Sequence, residues 1–319
     1  MMERTARALP CLLCLLTLLA LPLLAAAQEP EAPAAEAPAA AGDQPANAEP
    51  VLLRMAYQEG ETLTYRMELN GVGSVHVAGA AQAVAVSGTM DMTLEVEEID
   101  EDGNYVILTT MDAAGLNVTV EGETVAMTQQ LPGMRTTMSP RGETLALELI
   151  SGGQQTGMEA QIGSLLAGEN FKHLMALQKV AVFPEEPVAP GAEWGGALPE
   201  DEQAQVQAQD EPTTEITTIY TANQEFDGVM CARLESDAVI GAGALGEMAT
   251  MLQMSGETTT QSTTWFDCAA GRVRGSRENA QVNLELTLPA AMTGAEGEFT
   301  IFMEMFIDTD TWLVPPAGQ

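Results

Sequence analysis

Apolar side chains recur at every second position in stretch after stretch of this chain, and that period restricts its fold more than any other feature. Leu63, Tyr65, Met67 and Leu69 alternate with Thr64, Arg66, Glu68 and Asn70. Met90, Met92, Leu94 and Val96 alternate with Asp91, Thr93, Glu95 and Glu97. Successive side chains of a strand point to opposite faces, so each run makes one apolar and one polar face. Val282, Leu284, Leu286 and Leu288 repeat the pattern, as do Phe299, Ile301, Met303, Met305 and Ile307. Shorter strands are predicted at 105–111, 117–120, 125–127, 144–150, 216–221, 229–234 and 258–268, between Gly-, Pro- and acid-rich turns. The clearest turn is Asp100-Glu101-Asp102-Gly103-Asn104, because Gly and Asn accept the positive φ of a tight hairpin. Strands with one apolar face must bury it, so the expected fold is all-β and mainly antiparallel: a curved sheet, a sandwich or a partial barrel. The period changes once, where Ile162, Leu165, Leu166, Phe171, Leu174 and Met175 suit a short helical insert near 158–180.

Residues 1–27 have the form of a secretory signal, with Arg4 and Arg7 before an apolar run and Ala25-Ala26-Ala27 at its end. Retention of that segment as an anchor is the alternative. Residues 28–50 are largely Ala, Pro and Glu without apolar periodicity, which marks a disordered spacer. An N-terminal β half (51–182), a Pro- and acid-rich connection (183–215), a C-terminal β half (216–312) and a tail (313–319) follow. No segment after the signal is long and apolar enough to span a bilayer as a helix, so the expected setting is periplasmic or extracellular. Ser87-Gly88 and Ser255-Gly256 stand at equal distances before the turn glycines Gly103 and Gly271, as two copies of a duplicated unit would place them, each opening a strand.

Between the halves, Phe183-Pro184-Glu185-Glu186-Pro187-Val188-Ala189-Pro190-Gly191-Ala192-Glu193-Trp194 contains the pattern P-x-x-P-V-x-x-G-x-x-W. This resembles a motif of uncharacterised exported bacterial β-rich proteins. The resemblance implies export and a β architecture, and it assigns no functional residue.

The chain carries 46 acidic residues against 12 basic ones, a formal charge of -34, and such a surface repels nucleic acid. Histidine chemistry has little material, since His76 and His173 stand alone without partners at zinc-ligand spacing. There is no G-x-S-x-G elbow. Gly241-Ala242-Gly243-Ala244-Leu245-Gly246 matches a dinucleotide fingerprint, but that motif needs a βαβ unit, and a glycine-rich connection suits an antiparallel setting better. Asp100-x-Asp102-Gly103-Asn104 resembles part of a calcium loop yet lacks the later glutamate, which favours a hairpin turn. Met90-x-Met92, Met303-x-Met305 and the Met248, Met251, Met254 series offer soft ligands for copper, but they continue apolar stripes and suit core packing in an aromatic-poor chain.

Cys231 and Cys268 survive removal of the signal, and in an oxidising compartment they are expected to form one disulfide, worth about 4 kcal/mol by loop-closure entropy. Arg272, Arg274 and Arg277 form the one basic cluster. Arg272 and Arg274 share a strand face by simple alternation, available either to neighbouring acids or to an anionic group. No catalytic, metal or cofactor residue is nominated. The expected function is a non-catalytic exported protein that accepts a lipid-like or other apolar ligand on a curved sheet. The alternative is a structural module that docks an envelope protein, with an acidic-site hydrolase behind both.

Overall fold

The computed structural model describes residues 49–77, 80–112, 115–127, 133–150, 182–197, 215–242, 253–288 and 299–315. The segment 1–27, the spacer up to residue 48 and the expected helical insert near 158–180 lie outside the described residues. Strands run in the order β1 (Thr62–Val77), β2 (Ala80–Ile99), β3 (Tyr105–Asp112), β4 (Leu116–Val120), β5 (Glu123–Met127), β6 (Gly133–Met138) and β7 (Thr144–Ile150). They continue as β8 (Glu193–Ala197), β9 (Glu215–Phe226), β10 (Val229–Gly241), β11 (Met254–Asp267), β12 (Arg272–Leu288) and β13 (Phe299–Leu313). All belong to one open, curved sheet of order β7-β6-β3-β2-β1-β13-β12-β11-β10-β9-β8, with the β4–β5 hairpin paired to β2. Every pairing between these strands is antiparallel. The all-β expectation is met. Among the described residues no helix is long and apolar enough to cross a membrane.

The central strands are long: 16 residues in β1, 20 in β2, 17 in β12 and 15 in β13. Twist accumulates along strands several times the usual five or six residues, which curls the sheet and gives it an inner and an outer face. Because β1 pairs with β13 from Tyr65↔Leu313 to Val77↔Ile301, the first and last strands join the two halves into one continuous sheet. Alternation sends Leu63, Tyr65, Leu69 and Val75 inward, where they are buried, while Arg66, Asn70 and Val72 face out.

One end of the sheet is laced shut by the segment before β1. Val51 and Val188 exchange two backbone hydrogen bonds of 2.8 Å. Met55 N donates to Pro140 O at 2.7 Å and Ala56 N to Gly271 O at 2.9 Å. Gly60 N donates to Val96 O, and Val96 N to Glu61 O. This strap therefore touches the β6–β7 turn, the β11–β12 turn and β2, elements far apart along the sheet. The 183–194 motif supplies its other half. Phe183 enters the core with Leu53, Tyr220, Ala232, Leu234 and Phe266. The carbonyls of Pro184 and Glu185 accept from the Arg54 guanidinium at 2.6 and 2.8 Å, and Trp194 packs on the same cluster as β8 begins. What reads as a linker is thus partly a latch, and β8 within it escapes sequence detection because two glycines, Gly195 and Gly196, break its pattern.

The Asp100–Asn104 turn forms as expected. Gly103 has φ of 82°, and Asp100 Oδ1 accepts from Asp102 N and Asn104 N at 2.9 and 2.8 Å. Those bonds, led by the one from the Asn104 side chain, hold the Asp100 carboxyl below its ordinary range. Ser255-Gly256 opens β11, but Ser87-Gly88 lies well inside β2, so the expected equivalence of the two strand openings does not hold.

Candidate functional site

Two aromatic-rich clusters fill the strapped end. Tyr57, Leu63, Tyr65, Val96, Tyr105 and Ile107 form one, and the Phe183 cluster is the other, with Met55 and Val273 packed against both. Buried hydroxyls there are satisfied: Tyr65 donates to Val273 O and Tyr105 to Met55 O, each at 2.9 Å. Burial pushes the Tyr57 phenol up to about 12 and the Tyr65 phenol higher still.

A polar row crosses the inner face next to these clusters. The register sets Thr309 opposite Glu278, Glu278 opposite Ser262, and Ser262 opposite Ser236. Ser236 and Thr218 then share a hydrogen bond of 2.9 Å. Thr218, Ser236, Ser262, Glu278 and Thr309 are all buried. Beyond this belt, along the same strands, the inner face turns aliphatic. Ile301, Met303, Met305 and Ile307 from β13 stand against Ala280, Val282 and Leu286 from β12 and Val75 from β1, with Val84 and Val86 of β2 alongside. Met254, Ala238 and Ile240 complete it on β11 and β10. The described buried aromatics all lie on the strap side. The methionine stripes are thus part of an apolar wall, as core packing requires; Met248 and Met251 lie outside the described residues.

Glu278 differs from every neighbour on this face. It is 6% exposed, Oε1 has no hydrogen-bond partner, and burial raises its carboxyl well above the ordinary range. Thr309 Oγ1, directly opposite, and Thr260 Oγ1, one register step along β11, are also buried without a partner. Buried polar groups are normally hydrogen-bonded, so three orphan oxygens on adjacent strands are unusual.

Sequence reasoning missed Glu278 because Arg277-Glu278-Asn279 looks like solvated charge. The signal was present: the period of Val282, Leu284 and Leu286 carried backwards puts Ala280, Glu278 and Ser276 on the same face.

The nominated arginines go elsewhere. Arg272 Nη1 contacts Glu61 Oε1 at 2.5 Å in a largely buried pair, and Arg277 Nε contacts Asp310 Oδ1 at 2.8 Å on the exposed side. A bulge sets Trp265 opposite Gly275 and Phe266 opposite Val273 and leaves Arg274 without a register partner on β11, and Arg272 and Arg274 both act on the buried Tyr65 phenol. The cysteines are both thiols here, so the expected bridge is not formed. Cys231 Sγ lies 3.6 Å from Val229 O, and Cys268 Sγ, just past β11, lies 3.8 Å from Phe266 O. Burial pushes the Cys231 thiol up to about 11.

Gly241 closes β10, which pairs antiparallel with β9 and β11, so the glycine-rich run has no βαβ setting; its residues 243–246 lie outside the described ones. Asp267, the other buried acid, is occupied by its turn, accepting from Ala269 N and Ala270 N at 3.0 and 2.9 Å. Among the described residues no group of three or more His, Cys, Asp or Glu is placed to hold a metal.

No protein-family model matches the chain, and no curated protein matches it. Among solved structures, one of lipovitellin, concerned with lipid–protein interactions, aligns over 83% of this chain and 26% of its own, at 9% identity and a TM-score of 0.39. The chain spans about a quarter of the length of that lipovitellin chain. A DUF1329 family protein from Desulfovibrio piger aligns over 80% of this chain and 87% of its own, at 11% identity and a TM-score of 0.16.

Proposed function

We propose that this chain is a non-catalytic, exported binding protein that holds a lipid-like apolar molecule against the inner face of its sheet. The observation that carries this reading is the wall beyond the belt. From Thr309 to Ile301 it runs for about 26 Å at the usual strand rise, and its lining is aliphatic and thioether apart from Thr258 and Thr260 on β11. All strands lie in one curved sheet, and the wall's side chains are only 0 to 5% exposed, so it is an enclosed face rather than an open one. A curled sheet that encloses an aliphatic face suits an amphiphile held within the curl. Methionine favours the role, since a flexible, polarisable side chain repacks around ligands of different shape. Native mass spectrometry of protein purified from its producing cells tests this. A co-purifying adduct of lipid mass supports it; a bare chain that also fails to bind an apolar fluorescent probe overturns it.

A second reading has its own observation. On the outer face Val72, Phe302 and Phe306 are 61%, 39% and 50% exposed and sit on paired strands, Val72 directly opposite Phe306. An exposed apolar patch of this kind suits docking to another envelope protein. A bound protein in place of a lipid in the same spectrum would favour that role.

A further inference from the structure

Glu278 is the one carboxyl on the described inner face of β1, β2, β9, β10, β11, β12 and β13. Its opposing and diagonal neighbours are Ser262, Thr260 and Thr264 on β11 and Thr309, Ile307 and Thr311 on β13, none of them charged. The basic neighbour in sequence, Arg277, is spent on Asp310 at the exposed side. A carboxyl buried without cation or donor is costly to keep, and chains retain such groups mainly where a site uses them. Directly opposite strand residues hold their Cβ atoms about 5 Å apart, so Glu278 and Thr309 can meet one small group, while Thr260 lies on the far side of β12 from Thr309.

Resting on the binding role proposed above, we infer that Glu278 and Thr309, directly opposed on β12 and β13, receive a primary amine at the polar end of the apolar ligand. Two orphan oxygens, Glu278 Oε1 and Thr309 Oγ1, accept two of the three donors of an ammonium group. A hydroxyl offers one donor and leaves the carboxylate charge unbalanced, whereas an ammonium supplies both the charge and the hydrogen bonds. The formal charge of -34 draws cationic amphiphiles to the protein and repels fatty carboxylates. Burial holds the empty carboxyl toward its neutral form, and a cation beside it reverses that shift. The belt then fixes the head group, and the aliphatic wall beyond it takes the tail.

The test is competition against an apolar fluorescent probe on the full chain, titrating dodecylamine, dodecanol and dodecanoate against the unaltered protein, Glu278→Gln and Thr309→Val. The unaltered protein binds the amine about tenfold tighter than the alcohol, and the carboxylate most weakly. Glu278→Gln removes that preference, bringing the amine-to-alcohol ratio to about one, and Thr309→Val lowers the ratio by about threefold. If amine and alcohol bind the unaltered protein equally, the head-group inference is overturned while the binding role stands. If none of the three displaces the probe, both fall. The amine-to-alcohol ratio of the unaltered protein decides the matter even if a variant fails to fold.

Discussion

The two ends of the same long strands are made of different materials. At the strapped end, aromatic rings interlock, with Phe183 and Phe266 edge-to-face at 4.9 Å and Tyr57 and Tyr105 at 5.2 Å. Backbone bonds from 51–61 and 183–192 tie together turns far apart along the sheet. Beyond the belt there are no buried rings among the described residues, only aliphatic side chains, thioethers and the Thr258 and Thr260 hydroxyls, and the belt itself holds unsatisfied oxygens. An open sheet gains rigidity where a crossing segment fixes its curvature. The wall beyond the belt is also closed to solvent, at 0 to 5% exposure, but by flexible thioether and aliphatic side chains rather than locked rings. On the proposed reading, stability is concentrated at one end and ligand binding at the other.

The largest test of that division is at Gly271. Its φ is +62°, and an added Cβ would lie 2.4 Å from Ala56 Cβ and 2.6 Å from Ala56 N, within the strap. Gly271→Ala is expected to cost about 4 kcal/mol in urea unfolding, combining the left-handed backbone penalty with displacement of the strap. Met303→Leu, on the far wall, should stay under about 1.5 kcal/mol, as volume-conserving swaps do. Equal losses would break the comparison.

The ends also respond to pH in separate windows. Tyr57 is raised from 10.0 to about 12, so its contribution is complete below pH 10 and disappears as pH climbs to 12, a loss of about 3 kcal/mol. Tyr57→Phe should make that alkaline decline shallower, read as unfolding midpoint against pH, while the part due to buried Tyr65 persists. Glu278 sharpens the contrast from the acid side. Its folded value lies well above 4.5, so its contribution is intact below that pH and is lost as pH rises through the folded value. The slope is about 1.4 kcal/mol per pH unit, and Glu278→Gln should flatten it, leaving the two proteins alike at low pH. The smallest effect belongs to the outer face. Arg277 and Asp310 are each about half exposed, so Arg277→Ala should alter stability by no more than about 0.5 kcal/mol.

Much of the sheet was legible because a half-buried strand writes its period into the chain. β1, β2, β12 and β13 were found from alternation, and the β2–β3 turn from Gly103 and Asn104. β6 was missed because all six of its residues are only partly buried, so its pattern carries no clear faces. The strap was invisible for another reason: residues 51–57 are held by backbone bonds and by contacts with elements more than eighty positions away, which local periodicity does not record. The belt was legible in principle, as the extension of a stripe already recognised, but a glutamate between an arginine and an asparagine is read as surface by default. The arginine cluster drew attention by charge alone, and two of its three members are accounted for by ion pairs.

Hydrogen–deuterium exchange of the full chain with and without saturating dodecylamine tests the division of labour most directly. The account predicts added protection in 280–287 and 301–307, on the wall, with none in 51–57 or 183–194. Protection gained at the strap, or nowhere along the wall, would contradict it.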